Sequence, residues 1–156
     1  MIPNISNEVN ASKNQKYIIC DTAVGFWGKT ETLLEVIRIL KPHLKSEKDT
    51  ASKDKWCEFD LPNGDKVVVS TLGDPNSAQP AWLLDAANTN ARFIVTACRT
   101  SGFTVDTVYD IAQKFGYEII WFKNFHFDSI SLVGTQTMND IRHQEAQCIV
   151  ETIKIL

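Results

Sequence analysis

The feature that most constrains this chain is an alternation of short apolar runs with stretches whose apolar residues recur at helical spacing. Tyr17-Ile18-Ile19-Cys20, Lys66 to Leu72, Arg92 to Cys98 and Tyr117 to Phe122 are rich in β-branched and aromatic residues. Such runs, without a consistently polar face, suit strands buried on both sides of a sheet. Between them Leu33, Leu34, Ile37 and Leu40 share one helical face, and Pro42 stops that helix. Pro80 can open a second helix through Trp82, Leu83 and Ala86 to about Asn90. Thr104 can cap a third, ending at Phe115 with Gly116 as its C′ residue. Met138, Ile141, Cys148, Ile149, Thr152, Ile153 and Leu156 define a last, long helix.

One segment breaks the alternation. Lys55 to Leu61 alternates polar and apolar residues, and Pro62-Asn63-Gly64-Asp65 separates it from the run at Lys66. Asn and Gly both accept positive φ, so the segment reads as a hairpin whose second strand enters the sheet interior. Lys45 to Lys55 is charged and aperiodic and reads as a surface loop. Residues 1–15 read as a flexible polar tail, and residues 16–156 as a single domain. The expected fold is a three-layer α-β-α sandwich: a mainly parallel sheet of about five strands with one hairpin-linked antiparallel strand. Ligands of such sheets bind where the strands end at their carboxyl side. Three loops converge there, at residues 21–28, 72–77 and 99–102.

Composition narrows the class. With 44% hydrophobic and 22% charged residues the chain is globular rather than disordered. No apolar run approaches the ~20 residues of a membrane span. Met1 to Ser6 has no basic segment followed by an apolar one, so the expectation is a cytoplasmic protein. A net charge of −3 gives no footprint for nucleic acid. Cys20, Cys57, Cys98 and Cys148 have no metal-ligand spacing and read as reduced thiols. His43, His126 and His143 form no catalytic grouping by spacing.

The loop after the first strand carries the chemistry. A triphosphate needs several backbone N–H groups aimed at one point, backed by the positive end of a helix. Ala23-Val24-Gly25-Phe26-Trp27-Gly28-Lys29-Thr30 lies between a buried strand and an amphipathic helix, where such a cradle works. It resembles the Walker A element of the P-loop NTPase superfamily, Gly-x-x-x-x-Gly-Lys-[Ser/Thr], with Ala23 at the first glycine. The resemblance implies that Gly28 lets the backbone approach the phosphates, that Lys29 meets the β- and γ-phosphates, and that Thr30 offers its hydroxyl to Mg²⁺. Phe26 and Trp27 are bulky for such a loop; they pack against a neighbouring subunit or cover the phosphates.

The other two loops supply partners. In this superfamily an acid after another buried strand supports the magnesium; Asp74, after Val67 to Gly73, resembles it, with Asp85 and Asp21 as competitors. Arg99, after the strand expected beside the phosphate loop, is a candidate charge stabiliser. The guanine-selective Asn-Lys-x-Asp element is missing, so ATP is preferred over GTP. Trp121, Phe122, Phe125, His126 and Phe127 read as core and helix-packing residues rather than a stacking platform. Three functions stay open: an ATPase or nucleotide switch, a small-molecule kinase, and a non-catalytic interaction module or homo-oligomer that faces a partner with Phe26 and Trp27.

Overall fold

The computed structural model describes residues 14–22, 29–123 and 134–156. They form an α/β fold with a six-stranded mixed sheet and, among the described residues, four α-helices. In chain order the elements are β1 (Lys16–Thr22), α1 (Lys29–Leu40), β2 (Leu44–Glu47), β3 (Trp56–Asp60) and β4 (Lys66–Ser70). Next come α2 (Gln79–Asn88), β5 (Phe93–Cys98), α3 (Phe103–Phe115), β6 (Tyr117–Lys123) and α4 (Thr135–Ile155). The strand order is β2-β3-β4-β5-β1-β6. β4, β5, β1 and β6 run parallel, while β3 is antiparallel to both β2 and β4.

The apolar runs become strands because both of their faces are covered. On one face Ile19, Val67, Val69, Phe93 and Val95 pack under α1 and α4, through Leu33, Val36, Ile149 and Ile153. On the other, Ile18, Cys20, Val68, Ile94 and Cys98 pack under α2 and α3, through Leu83, Ala86, Val108 and Ile111. Successive strand residues alternate between these two cores, as the period of two demands. The expected sandwich is therefore present, with six strands rather than about five.

The additional strand is β2, which replaces the first part of the loop expected at residues 45–55. All four of its residues are exposed, so no hydrophobic pattern marks it. It is held by backbone pairing to β3 and by Ser46 Oγ donating to Glu58 at 2.9 Å. The hairpin between β3 and β4 differs from expectation in its turn. Gly64 N–H donates to Leu61 O at 3.0 Å and only Gly64, at φ +90°, takes positive φ. With Pro62 after Leu61, this is a normal turn closed by a left-handed glycine, not one needing positive φ at both Asn63 and Gly64. Thr104 is not the cap of α3 either. Gly102 holds that position, and Thr104 Oγ accepts the Arg99 N–H at 3.0 Å. Gly116 does end α3 in the left-handed conformation. Among the described residues no helix is long and apolar enough to cross a membrane.

Candidate functional site

The sheet places one crevice above all others. α1, which follows β1, lies on one face, whereas α3, which follows β5, lies on the opposite face. β1 and β5 are neighbours, with Thr22 opposite Cys98. Where adjacent parallel strands send their helices to opposite faces, the chain parts at their carboxyl ends and leaves room for a ligand. The expectations for Ala23, Val24, Gly25, Phe26, Trp27 and Gly28, which connect Thr22 to Lys29 in the chain, lie outside the described residues, as does the side chain of Lys29.

The flanking residues are informative. Asp21, the penultimate residue of β1, is fully buried, while Thr22 is half-buried. In β1 Asp21 shares parity with Ile19, on the α1 face, and Thr22 shares parity with Cys20, on the α3 face. Across the loop, Thr30 in the first turn of α1 is half-buried. Glu31 beside it is pulled upward in pKa by burial. The hydrogen bond and charge of Lys53, whose Nζ lies 2.9 Å away, together with the charge of Arg142, outweigh this and hold the carboxyl below its usual range. Arg142 is itself buried on α4 and paired with Glu145. Each of these cations is thus paired with a carboxylate, and the positive end at the start of α1 is that of the helix dipole.

The second and third loops meet as expected. Gly73 lies so close to β5 that a Cβ built on it would sit 2.7 Å from Ala97 Cβ and 2.8 Å from Ala97 C. Gln79, fully buried at the start of α2, donates through Nε2 to Thr104 O at 3.1 Å, tying α2 to the first turn of α3. Ser77 Oγ donates to Asp74 O at 2.6 Å and accepts the Gln79 N–H at 3.2 Å. Asp74 thus stands on a built turn, and its carboxylate lies 3.5 Å from Arg99 Nη2. Both groups are substantially exposed, so the pair contributes little to stability and its arginine can exchange partners. Arg99 Nε is buried and has no hydrogen-bond partner. Asp85, a competing carboxylate, is turned away on α2 and bonds Lys48 at 2.7 Å.

A cavity of about 240 Å³ opens on the α3 side of this crevice. Its wall joins Thr22 of β1, Arg99 and Thr100 after β5, and Tyr109 of α3 to Trp121 and Lys123 of β6. The sequence gives Trp121 as core, but its side chain is 43% exposed because β6 is an edge of the sheet. Its ring lies 5.5 Å from that of Tyr109, itself 53% exposed, at an interplanar angle of 57°. Phe122, on the other face, does pack on the core, while Phe125, His126 and Phe127 lie outside the described residues. No spacing rule would have found this pocket, since its residues come from four segments of the chain.

None of the four cysteines forms a disulfide, in line with expectation. Cys20 and Cys98 are buried with sulfurs 2.8 Å apart between neighbouring strands. Among the described residues no three His, Cys, Asp or Glu side chains group as a metal site. Magnesium held largely by phosphate oxygens and water needs only one or two carboxylates, so this does not bear against it. The chain matches no protein-family model, no curated protein and no solved structure.

Proposed function

We propose that the chain binds a nucleoside triphosphate, ATP in preference to GTP, with its phosphates seated over the start of α1. The observation that carries this reading is where segment 23–28 is anchored. It joins the carboxyl end of a central parallel strand to the first turn of a 12-residue helix, beside the crevice between β1 and β5. The Walker A-like residues Ala23 to Thr30 fall on that connection.

In this reading Gly28 gives the backbone room and Lys29 neutralises the β- and γ-phosphates. Thr30 and a carboxylate hold Mg²⁺, which supplies charge neutralisation on the phosphate oxygens. Asp74 is the acid that the sequence pattern favours. Asp21 is the better situated of the two, because it is buried on the α1 face whereas Asp74 lies in solvent beside Arg99. Arg99, with a weak partner and a buried unbonded Nε, is free to turn toward a phosphoryl group and stabilise its charge. Phosphoryl transfer and hydrolysis require little beyond such positioning and electrostatics.

Calorimetric titration with Mg-ATP tests the reading. Lys29→Ala should weaken binding by roughly tenfold or more, the worth of one charge-assisted phosphate contact. Mg-ATP should also raise the melting temperature of the wild type, as any ligand of the folded state alone must. Equal affinity of both proteins for ATP refutes the proposal.

A further inference from the structure

Two open cavities in the described part of the chain are of comparable size and differ in their lining. The larger, about 340 Å³, lies beside α1 and β3; its rim carries Arg38, Lys41 and Lys55 with the carboxylate Glu47 among them, and the aromatic residue in its wall, Phe59, is fully buried. The smaller, at the α3 side of the crevice, is lined by two cations, Arg99 and Lys123, and by no carboxylate. Thr22 and Thr100 add hydroxyls, and Val105 with Tyr109 and Trp121 gives an apolar, aromatic wall.

This combination is selective. Two aromatic rings left 53% and 43% exposed are an unfavourable use of surface unless something covers them. They pack on one another with centroids 5.5 Å apart and a tilt of 57°, and their exposed parts offer a surface on which a flat ring can stack. The cations Arg99 and Lys123 stand at the same cavity. At about 240 Å³ the space is smaller than the ~300–1,000 Å³ of pockets that enclose a drug-sized ligand. It suits one planar ring with one anionic group, the remainder of the ligand extending into solvent.

We propose that this pocket is a second ligand site, which takes a single-ring aromatic phosphate. The ring stacks on the exposed surface of the Tyr109–Trp121 pair and the phosphate is held by Lys123 and Arg99, with Thr22 and Thr100 as hydrogen-bonding partners. Pyrimidine nucleoside monophosphates and simple aryl phosphates share this chemistry. The site goes beyond the proposed triphosphate site: Thr22 and Trp121 lie on the α3 face, whereas α1 rises from the other.

Equilibrium dialysis against CMP, UMP, phenyl phosphate and inorganic phosphate tests it. Saturable binding of at least one ring-bearing phosphate is expected, with inorganic phosphate roughly tenfold weaker or worse because it lacks the stacking contribution. Preference for CMP or UMP over phenyl phosphate identifies the ligand as a nucleotide; the reverse identifies an aryl phosphate. Tyr109→Ala and Trp121→Ala should each weaken binding by about tenfold. Lys123→Ala should also weaken it, and Lys123→Arg should restore it. These side chains are exposed, and circular dichroism verifies that each variant is folded. Lys29→Ala should leave the monophosphate affinity unchanged, so loss of triphosphate binding and loss of this site are separate results. The proposal is overturned if no ring-bearing phosphate binds in the millimolar range, if inorganic phosphate binds equally well, or if the two aromatic variants bind like wild type.

Discussion

Replacing Gly73 by alanine would put a methyl group where the end of β5 already lies. The added Cβ would sit 2.7 Å from Ala97 Cβ, 2.8 Å from Ala97 C and 2.9 Å from Ala97 O, and Ala97 is fully buried. Carbon atoms pack at about 3.5–4.0 Å, so the loop carrying Asp74 must move by roughly 1 Å or the strand must give. Overpacking of this kind costs ~1–3 kcal/mol. At ~2–4 °C per kcal/mol for a domain of this size, the melting temperature should fall by ~2–12 °C. Urea unfolding followed by circular dichroism measures the loss directly. Ala97→Gly in the same chain separates the causes. It removes the contact at 2.7 Å but leaves the two backbone contacts, so it should rescue Gly73→Ala only in part. Gly64→Ala is the control. Nothing lies within 4 Å of its Cβ, and its cost of ~1–2 kcal/mol arises from φ of +90° alone, so Ala97→Gly should not rescue it. A Gly73→Ala protein within ~0.5 kcal/mol of wild type, or one fully rescued by Ala97→Gly, refutes the close approach.

Two further outcomes follow from titrating groups. The Arg38 guanidinium, with His143 Nδ1 at 2.6 Å, holds the Glu35 carboxyl at about 2, although partial burial pulls the other way. A depressed folded-state pKa stabilises above the unfolded value of about 4.3, and that contribution is lost as pH falls through the folded one. Wild type should therefore exceed Glu35→Gln in stability near neutrality, and urea midpoints of the two should converge as pH drops from about 4.3 toward 2. Among the thiols, burial and the nearby Glu47 push Cys57 up to about 11, and Cys20 and Cys98 are buried, whereas Cys148 is exposed. Ellman's reagent should modify Cys148 alone in the native protein and all four thiols once it is unfolded; rapid native reaction of a second thiol contradicts the burial.

Where the sequence succeeded, each residue's environment was set by its own segment. Ile18, Ile19 and Cys20, like Val67 to Val69 and Phe93 to Cys98, are buried on both faces, so burial leaves a continuous apolar run. The stops at Pro42 and Gly116 are local for the same reason. Failures arose where distant backbone decides. Leu44 to Glu47 forms a strand only because β3 offers an edge, and exposed Lys45, Ser46 and Glu47 record none of that. Thr104 is a good cap by type, yet Arg99 N–H, brought near by the turn before α3, claims its hydroxyl. Trp121 has the composition of a core residue, and its exposure follows from the position of β6 at the sheet edge. The Walker A-like pattern lies in eight consecutive residues of the sequence, Ala23 to Thr30, of which 23–28 fall outside the described residues. The neighbouring pocket was not legible, because Thr22 and Trp121 meet only after the chain has wound twice across β1.

The alternation of side chains along β1 has a consequence for how the two proposed sites relate. Asp21 and Thr22 are adjacent in sequence, but a strand sends them to opposite faces, toward α1 and toward the Tyr109–Trp121 pocket respectively. A triphosphate over α1 and a ring in the pocket would therefore lie on either side of one strand end, close enough for charges to interact yet without sharing Lys29 or Trp121. Arg99 is the exception, since it lines the pocket while its Nη2 lies 3.5 Å from Asp74 in the loop after β4. A single guanidinium cannot fully serve two phosphates, so each ligand should weaken the other to a modest degree. That antagonism should be reciprocal, because coupling between two binding equilibria is one free energy. It should also vanish in Arg99→Ala, whereas Asp74→Asn should strengthen the pocket ligand by releasing the arginine from its carboxylate.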